Sequence, residues 1–287
     1  MTHKRFLPLL ILLLACNPVQ AQKLTGTLKG IADSGVFRIG YRAGTPPFSF
    51  IDPNGGPAGY SVDLCNRIAA AIREQLKLPE LDIKYYAVDL ENRFAAIENG
   101  EVDIVCASTT ITLSRQEKVD FTLMTFLTGG SILSRSARPV PTTGDLSGKS
   151  VAVVKGASTA GALGTYLTDS LIDARVITVD TLDIGMDMVS KGEIDAVAGD
   201  QIGLIGKLMQ VRDPQTFTMS QDMYSYEPYG LIVKRGDPDF RLAANRALAR
   251  LYRTGQYKAL YNKWFGRSGV RPSPILAAMF QLQAVPE

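Results

Sequence analysis

A pattern that runs twice along the chain limits this sequence to few folds. Short apolar stretches typical of strands alternate with helix-period segments over residues 36–106, and the same alternation returns over residues 150–199. In both runs the third strand follows a helix end, a glycine, an acidic residue and an aspartate, at residues 98–103 and 190–195. Alternating strands and helices predict parallel sheets that are covered by helices. The sequence therefore predicts an α/β fold with two lobes of the same design.

Residue spacing also predicts the individual elements of the first lobe. A Pro- and Gly-rich loop at residues 44–59 precedes a helix whose apolar residues recur every four positions between 64 and 76. Ser61 is expected to be the N-cap of this helix, because a hydroxyl side chain can accept from the first free N–H groups. The other elements of this lobe are predicted as strands at residues 36–40, 81–86 and 102–106 and a short helix at residues 93–98.

Two extended stretches connect the two runs of strands and helices. Residues 121–134 lead into the second run, and residues 224–234 lead back, so we expect both to be hinge strands. Two lobes joined in this way leave a cleft between them, which is a common place for a small-molecule site. The predicted division is a first lobe of residues 30–130 and 231–270, a second lobe of residues 135–226, and a C-terminal tail of residues 271–287.

The N-terminus indicates where the protein works. A basic start is followed by an apolar stretch at residues 6–15, which is typical of a secretory signal peptide and too short for a spanning helix. We predict a signal peptide over residues 1–21 with cleavage before Gln22. The alternative is a lipoprotein site at which Cys16 would be acylated. Both interpretations predict export, with the protein in the periplasm.

Composition excludes several classes of function. A formal net charge of +3 with no basic run argues against nucleic acid as a partner. The only histidine, His3, lies in the predicted signal peptide, which makes a metal site or a histidine triad improbable. We therefore predict neither a metal nor a cofactor. Cys65 and Cys106 would be either two small buried residues or a disulfide in an oxidising compartment.

Charged and hydroxyl residues follow the third strand of each predicted lobe. Ser108 and Thr110 come directly after a strand of the first lobe, and Arg115 follows them with a guanidinium that can hold a carboxylate through two N–H bonds. Asp200 ends the equivalent strand of the second lobe, where it could pair with an ammonium group. The alternatives are an exposed loop arginine and a helix N-cap. Together, the two charges predict a clamp for a zwitterion.

A strand–turn–helix junction at residues 155–161 is a further candidate. Its free amides and the hydroxyls of Ser158 and Thr159 would attract an anion at a helix N-terminus. The segment lacks the Gly-Lys-Ser/Thr ending of a phosphate-binding loop. The alternative is a capped helix that binds nothing.

These motifs, in this order, resemble the bacterial periplasmic amino-acid-binding proteins of ABC importers, and most of all their glutamate/aspartate-binding branch. The resemblance implies a type II periplasmic-binding-protein (Venus flytrap) fold, a free amino acid as ligand, a membrane permease as partner, and a monomer. The residues that carry it are 40–42 with 47–50, 59–64, 92–93, 108–110 with Arg115, 156–159, Asp200 and 264–265.

The resemblance also implies a role for each candidate residue. Arg115, Ser108 and Thr110 match the positions that hold the α-carboxylate and α-amino end of the ligand, Asp200 the position that holds its ammonium, with Ser158 and Thr159 beside them. Arg42 and Arg93 match the positions that hold a side-chain carboxylate. The departures are Leu90 and Leu182, which stand where this branch has a serine and a histidine, and Ser61, which replaces an acidic residue.

An enzyme on the same fold is the alternative function. Periplasmic dehydratases that act on arogenate or prephenate share this fold, and they need a cleft carboxylate for acid–base chemistry. Glu91 and Glu227 are the candidates, although each reads more simply as a surface or hinge-rim residue. We therefore predict a binding protein that is not an enzyme.

Overall fold

The computed structural model describes residues 24–266, 269 and 271–287, so the predicted signal peptide and Cys16 lie outside the described residues. The strands in chain order are β1 (Val36–Tyr41), β2 (Gly44–Thr45), β3 (Ser49–Ile51), β4 (Pro57–Ala58), β5 (Asp82–Ala87), β6 (Ile104–Cys106), β7 (Val119–Thr128), β8 (Gly130–Arg135), β9 (Ser150–Val154), β10 (Arg175–Val179), β11 (Ala196–Asp200), β12 (Phe217–Met219) and β13 (Glu227–Lys234). The helices are α1 (Gly26–Ser34), α2 (Tyr60–Gln75), α3 (Arg93–Glu98), α4 (Leu113–Gln116), α5 (Ser158–Asp169), α6 (Leu182–Lys191), α7 (Gln201–Leu208), α8 (Pro238–Arg253), α9 (Tyr257–Phe265) and α10 (Pro274–Leu282). Within these described segments, no helix is both long enough and apolar enough to cross a membrane.

Two five-stranded sheets of the same design form the centre of the molecule. The first has the order β5-β1-β6-β13-β7, in which β1 pairs in parallel with β5 and β6 while β13 runs antiparallel to its neighbours. The second has the order β10-β9-β11-β8-β12, in which β9 is parallel to β10 and β11 while β8 is antiparallel to its neighbours. Each sheet with its packed helices is called a lobe below. The predicted two-lobed α/β fold is confirmed.

The central strands of each sheet are buried on both faces, which explains why strands such as β6 and β9 read as nearly continuous apolar runs. In β13, Leu231 and Val233 pack into the cluster that also contains the apolar residues of α2 and α8. Ile232 points to the opposite face and packs beside Ile97 of α3. Helices therefore cover the sheet on both sides, and the ends of the strands are left as the place for a site.

The start of α2 differs from the predicted one. Gly59 rather than Ser61 is the N-cap residue, because the N–H groups of Tyr60 and Ser61 donate to carbonyls of the loop at residues 47–48 and need no side-chain cap. The buried Ser61 hydroxyl donates instead to the carbonyl of Ala107 at 3.1 Å. The helix start is therefore attached to the strand end from which the candidate site residues follow.

Of the two alternatives for the cysteines, the structure contains the disulfide. Cys65 of α2 and Cys106 of β6 are bonded, with their Cα atoms 6.3 Å apart. The bond ties the helix to the last residue of the strand that leads to Ser108. A cross-link at this position restricts the segment that carries the candidate ligand-binding hydroxyls.

The chain passes between the lobes at two neighbouring places. The first crossing joins β7 to β8 through Gly129, and the second enters β13 just after Ser225. A side-chain carbon on Gly129 would lie 2.3 Å from the Ser225 carbonyl oxygen, so the two crossings touch through a residue that must be small. Gly130 also donates its N–H to Ser225. We propose that the lobes hinge at these paired crossings.

The C-terminal segment is a docked helix rather than a plain tail. The apolar face of α10, formed by Leu276, Met279 and Phe280, is buried in the core of the first lobe. Just beyond the helix, Gln283 accepts a hydrogen bond from the backbone N–H of Met124 in β7 at 3.1 Å. The segment thereby covers the strand that carries the first crossing.

Candidate functional site

A cavity of about 340 Å³ lies between the two lobes, where the carboxyl ends of the parallel strands of both sheets face each other. This size is within the usual range for small-molecule sites, about 300–1,000 Å³. The structure brings all the candidate ligand-binding residues from the sequence to this one cavity, and their individual roles stay predictions. The first lobe contributes Arg42, Arg93, Ser108, Thr110 and Arg115, and the second contributes Ser158, Thr159 and Asp200.

Three guanidinium groups line the side of the cavity that belongs to the first lobe. Arg93 is only 3% exposed, its Cζ lies 4.2 Å from the centre of the Phe94 ring, and its Nε has no hydrogen-bond partner in the described part of the chain. Burial, followed by the nearby charges of Arg115 and Arg42, lowers the pKa of Arg93 to about 9, so the group remains charged at neutral pH. Burial also lowers the pKa values of Arg42 and Arg115. Among the residues that the structure describes, no carboxylate forms an ion pair with any of the three.

Arg115 is held in place through only part of its hydrogen-bonding capacity. Thr112 caps the short helix α4 by accepting from the Arg115 backbone N–H at 3.2 Å. One guanidinium nitrogen, Nη1, donates to the Thr110 carbonyl at 2.7 Å. An arginine side chain has five N–H donors, so most of them remain for an anion in the cavity. The predicted clamp is geometrically available.

Asp200 faces these cations from the second lobe. It ends β11 and occupies the N-cap position of α7, but its side chain makes no capping bond, and its Oδ1 is buried without a partner. Burial, followed by the charge of Glu227, raises the pKa of the Asp200 carboxyl to about 7, while the Tyr229 phenol and Arg115 act in the opposite direction. A buried carboxylate with an unused oxygen is an acceptor for a cation. The Asp200 side chain therefore does not act as a helix N-cap, which was the alternative to a ligand-binding role, and it lines the cavity.

Ser158 connects the two lobes. Its Oγ lies 2.9 Å from Thr110 Oγ1 in the first lobe and donates to Glu227 Oε2 at 2.7 Å. The other oxygen of Glu227 accepts from Ser225 at 2.8 Å. Glu227 is only 2% exposed because Ser158 and Ser225 both donate to its carboxylate, so it is a buried residue at the crossing and not an exposed rim residue. Glu91, the other candidate for acid–base chemistry, is exposed and does not line the cavity.

One buried cation of the cavity was not among the predicted residues. Lys207 is 8% exposed, lies on α7 and forms an ion pair with Asp183 at 2.7 Å. Asp200, Gly203 and Lys207 all line the cavity, and their spacing of three and four residues places them on one face of the helix. That spacing was readable in the sequence once Asp200 had been chosen as a candidate. Leu90 and Leu182 also line the cavity, one from each lobe.

The fold and the cleft define a two-lobed solute-binding protein of the type II periplasmic-binding-protein class, as predicted. The chain matches the model of the bacterial extracellular solute-binding proteins, family 3, over residues 37–267, and it belongs to that family.

Three similar proteins place the chain within the family. The L-glutamate/L-aspartate-binding protein of Pseudomonas aeruginosa is 32% identical over 249 residues, which is 86% of this chain and 82% of that protein. The glutamate/aspartate import solute-binding protein of Salmonella typhimurium is 28% identical over 83% of this chain and 79% of its own length. Among solved structures, an ancestral arginine-binding protein bound to arginine has a TM-score of 0.70 at 28% identity and covers 80% of this chain and 98% of its own. The relatives are solute-binding proteins, and this chain is likewise a binding protein rather than an enzyme.

Proposed function

We propose that the protein is the periplasmic solute-binding component of an amino-acid ABC importer and that it binds an acidic amino acid, glutamate or aspartate, between its lobes. The observation that carries the proposal is the group of three guanidiniums that face the cavity without an ion-pair partner among the described residues. The two relatives named for glutamate and aspartate support the same assignment. Buried cations of this kind are stabilised by anions in the site.

The α-amino-acid part of the ligand fits the residues that face each other across the cleft. Arg115 would hold the α-carboxylate through its free N–H donors, with the hydroxyls of Ser108 and Thr110 nearby. Asp200 would accept from the ligand ammonium with Oδ1, the oxygen that has no partner among the described residues. Ser158 lies beside Thr110 in the same cavity. Because the two charges of the ligand bind different lobes, the ligand stabilises the closed arrangement over an open one.

The remaining two guanidiniums would hold the side-chain carboxylate. Arg93 has an unpartnered Nε, and Asp89, the acid that most favours the charged form of Arg42, already accepts from the N–H groups of Glu91 and Asn92. Leu90 would pack against the aliphatic part of the ligand side chain. The same proposal includes export through the N-terminal signal and delivery of the ligand to a membrane permease. Attachment to the membrane through Cys16 is the alternative to a free periplasmic protein.

Glutamate is expected to bind at least about tenfold more tightly than glutamine, a difference of about 1.4 kcal/mol. An anionic side chain gives Arg42 and Arg93 charge-assisted partners, whereas an amide leaves part of their charge unpaired in a buried place. A thermal-shift screen of the twenty amino acids and small dicarboxylates identifies the ligand, because a ligand of the folded state raises the melting temperature. Competition calorimetry with glutamate and glutamine then measures the preference.

A displacement of glutamate by an equal concentration of glutamine or of a neutral aliphatic amino acid would contradict the acidic assignment. In that case the Arg42→Met, Arg93→Met double variant should still bind the true ligand, since both arginines would then be structural groups. If glutamate is the ligand, the double variant should lose the preference for glutamate over glutamine.

Affinity is also expected to fall as the pH is lowered from about 7 towards 5.5. Burial raises the pKa of the Asp200 carboxyl from its ordinary value of 3.8 to about 7, so part of the protein carries this proton at neutral pH before it binds a ligand. A ligand ammonium favours the ionised carboxylate, so binding releases the proton, and each pH unit below 7 lowers the affinity by up to about tenfold. The effect is absent well above pH 7. Calorimetry in buffers of different ionisation enthalpy measures the released proton, and an affinity that stays constant from pH 8 to pH 5.5 would contradict it.

A further inference from the structure

One face of α7 runs along the cavity from its negative to its positive end. Asp200 stands before the first turn, Gly203 one turn later, and Lys207 near the last residue, so the two charged positions are about 10 Å apart at 1.5 Å per residue. Between them, a side-chain carbon on Gly203 would meet only the Asp200 Cβ, at 3.8 Å. No side chain of the helix therefore separates a ligand held at Asp200 from Lys207.

Lys207 is buried more deeply than its partner. Its side chain is about nine-tenths covered, whereas the Asp183 side chain is 65% exposed. An ammonium group has three N–H donors, and among the described residues the Lys207 ammonium donates to one side chain, that of Asp183 at 2.7 Å. A buried ammonium with unused donors in the wall of a cavity is able to take a second anionic partner.

The last turn of α7 contacts the loop of the first lobe that follows β1 and begins at Arg42. A side-chain carbon on Gly206 would lie 2.3 Å from the Pro46 carbonyl oxygen, so the helix touches this loop with no room for a side chain. Residues 42–46 line the cavity continuously from the end of β1 to this contact. Lys207 is thus on the side of the cavity where this loop closes against the second lobe.

We propose that Lys207 is a specificity-determining residue, which binds the side-chain carboxylate of the ligand from the second lobe while Arg42 and Arg93 bind it from the first. Asp183, which pairs with the Lys207 ammonium, would share it with the carboxylate of the ligand. The inference rests on the proposed function, an acidic amino acid in this cavity. Its consequence is that the charge of the ligand side chain is sensed by both lobes and favours closure directly.

The test compares Lys207→Met with Asp183→Asn by titration calorimetry with glutamate, aspartate and glutamine. Both variants break the same ion pair, so a purely structural role predicts the same loss for both. We expect Lys207→Met to lower the affinity for glutamate by about tenfold or more and the affinity for glutamine by less than about threefold. Asp183→Asn, which removes the carboxylate that competes for the Lys207 ammonium, should strengthen glutamate binding. Lys207→Arg, which keeps the charge, should keep the preference for glutamate over glutamine.

Circular dichroism and the melting temperature show whether each variant folds, and Lys207→Gln is the substitute if the methionine variant does not. Two results would overturn the role of Lys207 and leave the proposed function intact. One is an unchanged ratio of glutamate to glutamine affinity in the folded Lys207 variant, and the other is an equal loss of glutamate affinity in Lys207→Met and Asp183→Asn. Wild-type protein that fails to prefer glutamate or aspartate overturns the proposed function, and the role of Lys207 with it.

Discussion

Replacing either Arg115 or Asp200 with alanine is expected to abolish ligand binding without unfolding the protein. Each substitution removes one partner of a ligand charge that is buried in the closed cleft, and such losses are about 2–5 kcal/mol, or roughly 30-fold to several thousand-fold in affinity. Folding should not suffer, because one buried carboxylate oxygen of Asp200 has no partner among the described residues, and the Arg115 guanidinium donates to a backbone carbonyl, that of Thr110. Calorimetry measures the affinity, and thermal unfolding measures the stability.

Matched controls come from the same part of the molecule. Asp180 lines the cavity at its exposed edge, and Arg212 is an exposed arginine of the second lobe. Alanine at either position should change ligand affinity by less than about threefold, because solvent already satisfies these charges. If Arg115→Ala or Asp200→Ala binds within threefold of the wild type, that residue does not hold the ligand.

The site could be predicted from the sequence largely because of the fold class. Parallel strands carry polar residues at their carboxyl ends, and the same ends of neighbouring strands meet at one edge of the sheet. Once two α/β lobes had been inferred from the repeated pattern, the polar residues that follow β6 and β9 and end β11 were expected at the cleft, and Ser108, Ser158 and Asp200 line the cavity. Arg42, which follows β1, was predicted only through the resemblance to the family, and it lines the same cavity.

Features that depend on contacts between segments far apart in the chain could not be predicted from the sequence. Glu227 looks like a hinge-rim acid until Ser158 and Ser225 are seen to donate to it. Lys207 was missed because an isolated lysine in a helix is usually a solvated surface residue. The start of α2 was misplaced at Ser61 because the loop before the helix supplies the carbonyl acceptors that a capping side chain would otherwise replace.

The C-terminal helix and the disulfide show the same limit. Helix α10 is short and begins with a proline. Its apolar face is buried only because it packs into the first lobe, and the sequence does not show that contact. For Cys65 and Cys106, the sequence gives two cysteines in apolar elements, but bonding depends on a distance between a helix and a strand that only the packed lobe sets.

Gly206→Ala is expected to prevent full closure of the cleft and to weaken ligand binding by about tenfold or more. The added carbon would lie 2.3 Å from the Pro46 carbonyl oxygen and 2.9 Å from its carbon, and these are backbone atoms that cannot rotate away. The lobes must then stay further apart, or the loop that begins at Arg42 must move, and both changes separate the groups that hold the ligand. Small-angle scattering at saturating ligand should give a larger radius of gyration than that of the liganded wild type.

Gly164→Ala supplies the control for this prediction. Gly164 is also a helical glycine of the second lobe, in α5, but apart from its chain neighbours and the backbone of its own helix, no described atom lies within 4 Å of the position that its side-chain carbon would take. Alanine in a helix interior is favoured over glycine by about 0.5–1 kcal/mol, so both variants should gain helix stability. Only Gly206→Ala should then lose affinity and compaction, which separates an effect on closure from an effect on folding. Equal affinity and equal compaction in the two variants would mean that α7 does not approach Pro46 this closely when the ligand is bound, and closure would have to rest on the contacts of Ser158 with Thr110 and Glu227.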